Sequence, residues 1–492
     1  MRSIKLLVTS SAILTTLLIL VCTKDITSPN PNIPPTTTIA NIPVEGDTIF
    51  ALVKLQWDGG DDDGYVIGYE WKYQTTYSST GQSVSTEWKF TPETSLTIAF
   101  NSSDSLGNRQ EFQIRAIDNN KTADPTPEMK TFYTTQTVAP EVTIITPAAH
   151  SEYFIAEEIT DWYYGIPLVF SGYDEDGDIV EFGWSVDGGE FNWTADTSLY
   201  ITPDHFNTPL NGQHTIKVIA RDNTNIVSLE GFAVTVNLVK ATFEKDILII
   251  DETIEREFPP SAAATDAQVD SFYAAIFGVP DPDDVWDYEY YYLRGKPLPP
   301  LSKLGQYKMV IWHADNRPTT EPHKLADHVD YFKGYMNIGG DFIMSGWRIL
   351  KSFAWDRAFP TTFEDTSFVA EYLHILAADE TPYYLGDCIG ALGIFGDFSD
   401  IEVDAEKLQG NPFRGKLVQI NTIQRAGGFT DILYRYRNEA GSTFPTFAGQ
   451  SIGLLYTGTV FDAVILGFPI YFIKSEHAEI MADEMLRMLG YR

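Results

Sequence analysis

The chain has 492 residues, of which 43% are hydrophobic and 21% charged, a composition that argues against disorder and allows about three globular domains. Its 68 acidic and 34 basic residues give a formal net charge of −34, which argues against nucleic acid as a partner because such a surface repels phosphate backbones. With only Cys22 and Cys388 present, a disulfide framework is not expected.

The N-terminus has the pattern of an export signal. A short basic start precedes an apolar run over residues 6–21, which at roughly 16 residues is short for a membrane span and suits a secretory signal peptide. The run ends in Ile-Leu-Val-Cys and resembles a bacterial lipobox, in which the cysteine, here Cys22, becomes the lipidated first residue. Val21 departs from the small residue usual there, so ordinary secretion and an uncleaved anchor are the alternatives. We predict an exported lipoprotein of the cell envelope, anchored in the outer membrane and facing the periplasm or the surface.

The predicted signal peptide spans residues 1–22, and a polar, proline-rich stretch follows over residues 23–35. Proline-rich linkers are extended and semi-rigid, so this stretch predicts a tether between the lipid anchor and the first folded domain.

The next 200 residues contain an internal repeat. Residues 57–71 match residues 170–184, and each copy predicts a strand, an Asp-Gly turn and a second strand that ends in tryptophan. A later pair, residues 112–119 and 216–223, alternates apolar and polar residues and ends in Asp-Asn. Alternation with period two places one face of a strand against a core.

We predict two antiparallel β-sandwich modules, residues 36–138 and 139–242, with Trp71 and Trp184 filling their cores. The Asp-x-Asp-Gly-x-Ile/Val-x-x-Phe/Tyr-x-Trp stretch of each copy resembles the fibronectin type III and PKD-like group of extracellular modules. The resemblance implies an Ig-like fold over roughly residues 36–240. It leaves the function open, because modules of this group serve as spacers, adhesins and glycan binders.

The acidic turns of the repeat invite a calcium hypothesis. Aspartates alternate from Asp174 onward, as ligands in a calcium loop do. An EF-hand needs a bidentate glutamate at loop position twelve, where the two copies have Ser185 and Lys72. An acidic hairpin turn is the better interpretation, and no metal site is predicted.

From residue 243 onward, apolar strand-like runs alternate with helical segments. This alternation predicts an α/β domain with a doubly wound, mostly parallel sheet over residues 243–492. The runs that predict strands cover residues 246–252, 307–313, 341–347 (a strand and its turn) and 463–469.

The order of these runs, with Gly339-Gly340 before the third strand, resembles the class I glutamine amidotransferase-like fold, a flavodoxin-like sandwich. Active members of that family carry a cysteine nucleophile on the elbow after the Gly-Gly segment. Here the elbow reads Met-Ser-Gly-Trp over residues 344–347, without cysteine. The family's His-x-Glu pair has a counterpart in His477 and Glu479, but these residues lie beyond the last predicted strand, on the last predicted helix, which is too far along the chain for a catalytic triad. The resemblance therefore implies a domain without the family's nucleophile.

Ligands of doubly wound sheets bind outside the carboxyl ends of the strands. Acidic, basic and aromatic residues that fall there could hold a polar ligand or a cation, although solvated loop residues would show the same pattern. The candidate pocket consists of Asp251, Glu252, His313, Asp315, Ser345, Trp347 and Arg348.

Ser345 would act as a nucleophile only with a base in hydrogen-bond reach and an oxyanion hole, so a structural role in the turn before Gly346 is the simpler interpretation. Cys388 is interpreted as a small buried hydrophobe. We predict no catalytic residue and no cofactor.

The leading functional hypothesis is a non-catalytic envelope or surface lipoprotein with a sandwich stalk and a binding or assembly role. Its partner would be an envelope glycan or protein, and its membrane contact the lipid anchor. Two alternatives stay open: a divergent hydrolase or amidase acting on an envelope glycan or peptide, and a protein whose sandwich modules bind glycans.

Overall fold

The structure is a computed structural model that describes residues 31–40, 43–101, 107–135, 138–175, 177–223, 225–253, 264–288, 297–384, 386–396, 398–441 and 447–492. The predicted signal peptide, Cys22 and most of the tether lie outside the described residues. The chain divides into two compact units. One contains described residues of Met1–Pro140, Tyr173–Val180 and Arg221–Leu229, and the other those of Glu141–Gly172, Glu181–Ala220 and Glu230–Arg492.

The first predicted module folds as a β-sandwich. One sheet has the order β1-β3-β7, and the other has the order β2-β9-β8-β4-β5 with β6 also paired to β4. The strands are β1 (Thr36–Ile39), β2 (Thr48–Phe50), β3 (Leu52–Gly60), β4 (Val66–Thr76), β5 (Ser83–Ser85), β6 (Lys89–Thr91), β7 (Ser95–Ala99), β8 (Asn108–Asp118) and β9 (Glu128–Thr135).

The period-two pattern of β8 is confirmed, because Phe112, Ile114 and Ala116 are fully buried between the sheets. The prediction that Trp71 fills this core is wrong. Trp57 of β3 is the buried one, with its ring 5.8 Å from that of Phe112, and Trp71 is only partly buried against the cluster.

The second predicted module is also a sandwich, with one sheet of order β10-β12-β15 and another of order β11-β17-β16-β13-β14. Its core contains Trp184, as predicted, together with Ile216 and Val218 of β16. The strands are β10 (Glu141–Thr146), β11 (Glu152–Ile155), β12 (Ile166–Tyr173), β13 (Ile179–Val186), β14 (Asn192–Thr194), β15 (Ser198–Ile201), β16 (Gly212–Asp222) and β17 (Phe232–Lys240).

The C-terminal region contains a nine-stranded sheet of order β19-β18-β20-β21-β29-β28-β27-β24-β25 and a small sheet of order β22-β23-β26. The strands are β18 (Lys245–Asp251), β19 (Val285–Asp287), β20 (Tyr307–Ala314), β21 (Asp341–Gly346), β22 (Thr361–Thr362), β23 (Ile375–Glu380), β24 (Cys388–Gly393), β25 (Ile401–Glu402), β26 (Asn421–Arg425), β27 (Thr430–Asn438), β28 (Ser451–Thr457) and β29 (Asp462–Leu466). The helices are α1 (Asp266–Phe277), α2 (Leu301–Leu304), α3 (Val329–Asn337), α4 (Ile349–Ser352), α5 (Phe368–Glu371) and α6 (Ser475–Met488).

This sheet is mixed, whereas the sequence predicted a mostly parallel one. The pairs β18–β19, β18–β20, β20–β21 and β21–β29 are parallel, and the pairs from β29 through β25 are antiparallel. The physical reason is visible at residues 458–461, which join β28 to β29. Four residues form a hairpin, whereas a parallel crossover needs a dozen or more.

Helices cover both faces of the parallel half. Ile247 and Ile249 pack in one core with α1 and α6, whereas Leu248 and Ile250 pack in a second core with α2 and α3. Phe154 of β11 belongs to the second core, so the second sandwich and the C-terminal sheet share buried apolar contacts. Among the described helices, none is long and apolar enough to cross a membrane.

Candidate functional site

Residues at the carboxyl ends of three neighbouring strands form one row. Asp251 ends β18 and pairs in register with His313 of β20, and His313 pairs with Ser345 of β21. Asp315 follows β20 directly. All four residues are at most 1% exposed. The sequence pattern therefore placed these four side chains at the same edge of the sheet, but they lie inside the protein rather than in an open crevice.

Tyr273 of α1 connects the members of this row. Its ring stacks on His313 with a centroid separation of 3.6 Å and an interplanar angle of 6°. Its hydroxyl donates to Asp315 Oδ1 over 2.9 Å and lies 3.0 Å from Ser345 Oγ. The N–H of Tyr471 donates to Asp315 Oδ2 over 2.8 Å. The cluster of Tyr273, His313, Asp315 and Ser345 is thus a buried, stacked and hydrogen-bonded group, in which His313 Nε2 has no hydrogen-bond partner among the described residues.

Tyr273 lies on α1, and both ends of this helix are capped. The helix starts at a capping box in which the N–H of Thr265 donates to Gln268 Oε1 over 3.1 Å. It ends at Gly278, whose φ of 69° allows the left-handed cap that other residues adopt at a cost. The sequence shows the capping box, but the residue of α1 that faces the strand ends depends on how the helix packs, so Tyr273 was missed.

Burial sets the charges in this cluster. Desolvation lowers the pKa of His313 to about 3, so the ring is neutral at ordinary pH. Desolvation also raises the pKa of Asp315 to about 7. The pKa of Tyr273 is raised well above its usual value, first by burial and then by the charge of Asp315. The hydrogen-bond partner of the Ser345 hydroxyl is therefore a phenol that stays protonated, which is a poor base for activating a nucleophile.

Asp251 belongs to a second cluster, with Asp266 and Asp270 of α1. The three carboxyl groups offer oxygen atoms within 4.8 Å of one another. Burial is the main reason that the pKa of Asp251 lies well above its ordinary value, and the hydrogen bond and charge of Asp270 add to it. A protonated Asp251 can donate to a neighbouring carboxylate, which removes the repulsion without a cation. This acidic group was missed because Asp266 and Asp270 come from a helix rather than from a strand end.

Glu252 points away from the row and holds a turn. Its Oε2 accepts from Trp312 Nε1 over 3.1 Å, and its Oε1 accepts the N–H groups of Lys324 and Leu325. Those N–H groups begin the short 3₁₀ turn Lys324–Asp327, where a carboxylate satisfies donors that lack an internal partner.

Trp347 and Arg348 also bond to the chain's own groups. Trp347 Nε1 donates to the carbonyl of Val418 over 2.7 Å. Arg348 Nε donates to Glu380 over 2.7 Å, and its Nη1 donates to the carbonyl of Pro318 over the same distance. Within the described residues, neither side chain hydrogen-bonds to Tyr273, His313, Asp315 or Ser345.

Two further residues considered from the sequence have structural roles. Cys388 is buried, and desolvation raises the pKa of its thiol to about 12, so it is an unreactive thiol at neutral pH. His477 lies in α6, where its Nδ1 accepts the N–H of Glu402 over 2.9 Å. The buried hydrophobe predicted for Cys388 agrees with this placement.

No family model and no curated protein matches the chain. Solved structures are similar to parts of it. Fibronectin(III)-like modules of Clostridium thermocellum CbhA are 16% identical over 42% of this chain and 95% of that chain, with a TM-score of 0.21. The PKD1 domain of Vibrio anguillarum Epp is 15% identical over 21% of this chain and 98% of that one, with a TM-score of 0.14. A two-domain fibronectin type III segment of chicken tenascin is 12% identical over 42% and 98%, with a TM-score of 0.15.

At these identities and TM-scores the likenesses carry no argument about function. The predicted sandwich fold of the two modules is confirmed by their strand pairing.

Proposed function

We propose that the chain is a non-catalytic protein of the bacterial cell envelope, in which the sandwich modules form a stalk and the C-terminal domain binds or assembles with a partner. One observation carries the non-catalytic part. The polar side chains at the strand ends are at most 9% exposed, and each contacts the chain's own groups, although the buried Nε2 of His313 has no hydrogen-bond partner in the part of the chain that the structure describes. A working ligand site presents such groups to a cleft instead.

The amidotransferase-like resemblance supports the same proposal. On that scaffold the nucleophile would follow Gly339-Gly340, where this chain has Ser345. Its Oγ contacts Tyr273 rather than a neutral imidazole or a carboxylate that could take its proton. On this proposal, the position that corresponds to the family's nucleophile is covered by Tyr273.

A panel of fluorogenic esters, amides and glycosides tests this proposal on the full chain. We expect no turnover above that of the Ser345→Ala variant, with a catalytically competent hydrolase as the positive control. Turnover that disappears in Ser345→Ala or in Asp251→Asn, while both variants keep the wild-type melting temperature, would contradict the proposal and support the hydrolase alternative.

The lipid anchor is a separate part of the proposal and rests on the lipobox-like sequence before Cys22. We expect the protein from bacterial membranes to enter the detergent phase on cloud-point separation with Triton X-114, and Cys22→Ser to move it to the aqueous phase. Equal partitioning of the two proteins would refute lipidation at Cys22.

A further inference from the structure

A groove of about 470 Å³ lies along the outer edge of β11. One wall is formed by residues 151–154, and the other by residues 298–301 together with Asp330, Tyr331 and Gly334. In the described part of the chain β11 is the terminal strand of its sheet, with β17 as its neighbour. Side chains alternate between the faces of a strand, so four consecutive lining residues mean that the groove follows the strand's edge.

The backbone of β11 offers hydrogen-bonding groups on this edge. The carbonyl of Ser151 accepts the N–H of Asn237 in the parallel pair with β17. In a parallel pair, alternate residues direct both backbone groups to the same neighbour, so Ser151 and Tyr153 face β17. The N–H and C=O groups of Glu152 and Phe154 therefore point toward the groove. An edge of this kind accepts an extended chain as an additional strand.

The part of the opposite wall formed by residues 298–301 is apolar. Pro299 and Pro300 have no N–H to offer, and the carbonyl of Pro299 accepts the hydroxyl of Tyr331 over 2.7 Å. Phe154, 5% exposed, closes the base of the groove. Beside the two prolines the groove offers no N–H, whereas the β11 edge offers backbone donors and acceptors, which favours an extended backbone as the ligand.

The rim is acidic. Glu152 is exposed, and the carboxylate of Asp330 is 94% exposed, with Lys333 Nζ 3.9 Å away. The Oε1 atom of Glu152 accepts from the Asn237 side-chain amide over 2.9 Å, which ties this carboxylate to the neighbouring strand β17. Within a chain of net charge −34, these carboxylates favour basic side chains on whatever enters.

We propose that this groove binds an extended, basic segment of a partner protein, which adds to the β11 edge as a strand and places lysine or arginine side chains beside Glu152 and Asp330. The inference rests on the binding role proposed above and names the chemistry of the partner.

The test uses the full chain and a fluorescent peptide of alternating lysine and valine, with the alternating glutamate and valine peptide as its matched control. We expect anisotropy to show binding of the lysine peptide that weakens with added salt, and weaker binding of the glutamate peptide. Glu152→Pro removes an N–H that faces the groove and a rim carboxylate while keeping the backbone hydrogen bonds to β17, so we expect at least about a fivefold loss of affinity.

The double charge reversal Glu152→Lys with Asp330→Lys keeps the backbone donors and is expected to reverse the preference, with the glutamate peptide now binding more tightly. Absence of lysine-peptide binding, equal binding of the two peptides, or an unchanged preference in the reversed variant would each overturn this inference. If immobilised Glu152→Pro retains envelope proteins as well as the wild type does, the groove is not the binding site, although the proposed binding role still holds. Turnover in the substrate panel would instead reject the role itself.

Discussion

The buried carboxyl group of Asp315 predicts a specific dependence of stability on pH. Its pKa of about 7 in the folded chain exceeds the ordinary value of 3.8, so folding takes up a proton between those pH values. This contribution to the free energy of unfolding is fully present below the ordinary pKa and is lost as pH rises through about 7. The difference between the two pKa values corresponds to roughly 4 kcal/mol, an upper bound, at pH values above 7.

Asp315→Asn is the perturbation that isolates this contribution. The amide oxygen can still accept from Tyr471 N–H, and the amide N–H can donate to the Tyr273 hydroxyl, which is then free to donate to Ser345 Oγ, but the side chain never carries a charge. His313, whose ring nitrogen lies 4.0 Å from Asp315, has a depressed pKa and contributes with the opposite sign, so its stabilising effect is lost as pH falls toward about 3. Because the wild-type profile mixes both effects, the informative quantity is the difference between variant and wild type at each pH.

Hydrogen exchange of the amides in β20, followed by mass spectrometry, gives the opening free energy of the C-terminal sheet in the full chain. We expect the opening free energy of the variant, relative to that of the wild type, to rise by about 2–4 kcal/mol from pH 4 to pH 8. The control is Asp246→Asn, which removes an exposed ion pair with Lys308, so we expect it to change the opening free energy by less than about 1 kcal/mol. A difference between Asp315→Asn and wild type that does not change with pH would refute the assignment of a protonated, desolvated carboxyl group.

Two further changes test packing in the C-terminal domain, and each is measured by guanidinium unfolding. Arg348→Ala leaves Glu380 with its side chain 15% exposed and without its cation, so we expect a loss of about 3 kcal/mol that Arg348→Lys does not fully restore; a loss under about 1 kcal/mol would contradict the buried pair. Gly390→Ala places a Cβ 2.1 Å from the carbonyl oxygen of Ile401 at a φ of 151°, so we expect a loss of at least about 2 kcal/mol. The control is Gly441→Ala, which has a positive φ but open space, and an equal loss in both would show that the close contact is not the cause.

The sequence predicted those parts of the fold that follow from local patterns. Alternation of Phe112, Ile114 and Ala116 indicated a sandwich strand because side-chain direction in a strand depends only on neighbouring residues. The apolar runs of β18, β20, β21 and β29 indicated a parallel sheet because strands buried on both faces lack alternation. The antiparallel half was not predicted, since β24 and β27 have no comparable uninterrupted apolar runs and the short link from β28 to β29 was not recognised as a hairpin.

The candidate site divides in the same way. Asp251, His313 and Ser345 were placed at one edge because strand ends can be located from sequence, and register then makes them neighbours. Whether those groups meet solvent or a helix depends on tertiary packing. The stacking of Tyr273 on His313 decides that question, and no feature of residues 266–277 alone indicates which side chain turns inward.

The seating of Phe154 in the core that also holds Tyr335 has a consequence for how this protein can be divided. Trp162, from the same sandwich, lies 4.9 Å from the rings of both Tyr372 and Phe461. A cut near residue 242 would therefore bare aromatic surface on both fragments, and neither would be an independent piece to transplant. Recombination between related genes should therefore exchange the second sandwich and the C-terminal sheet together, because exchange of one alone would disrupt their shared core.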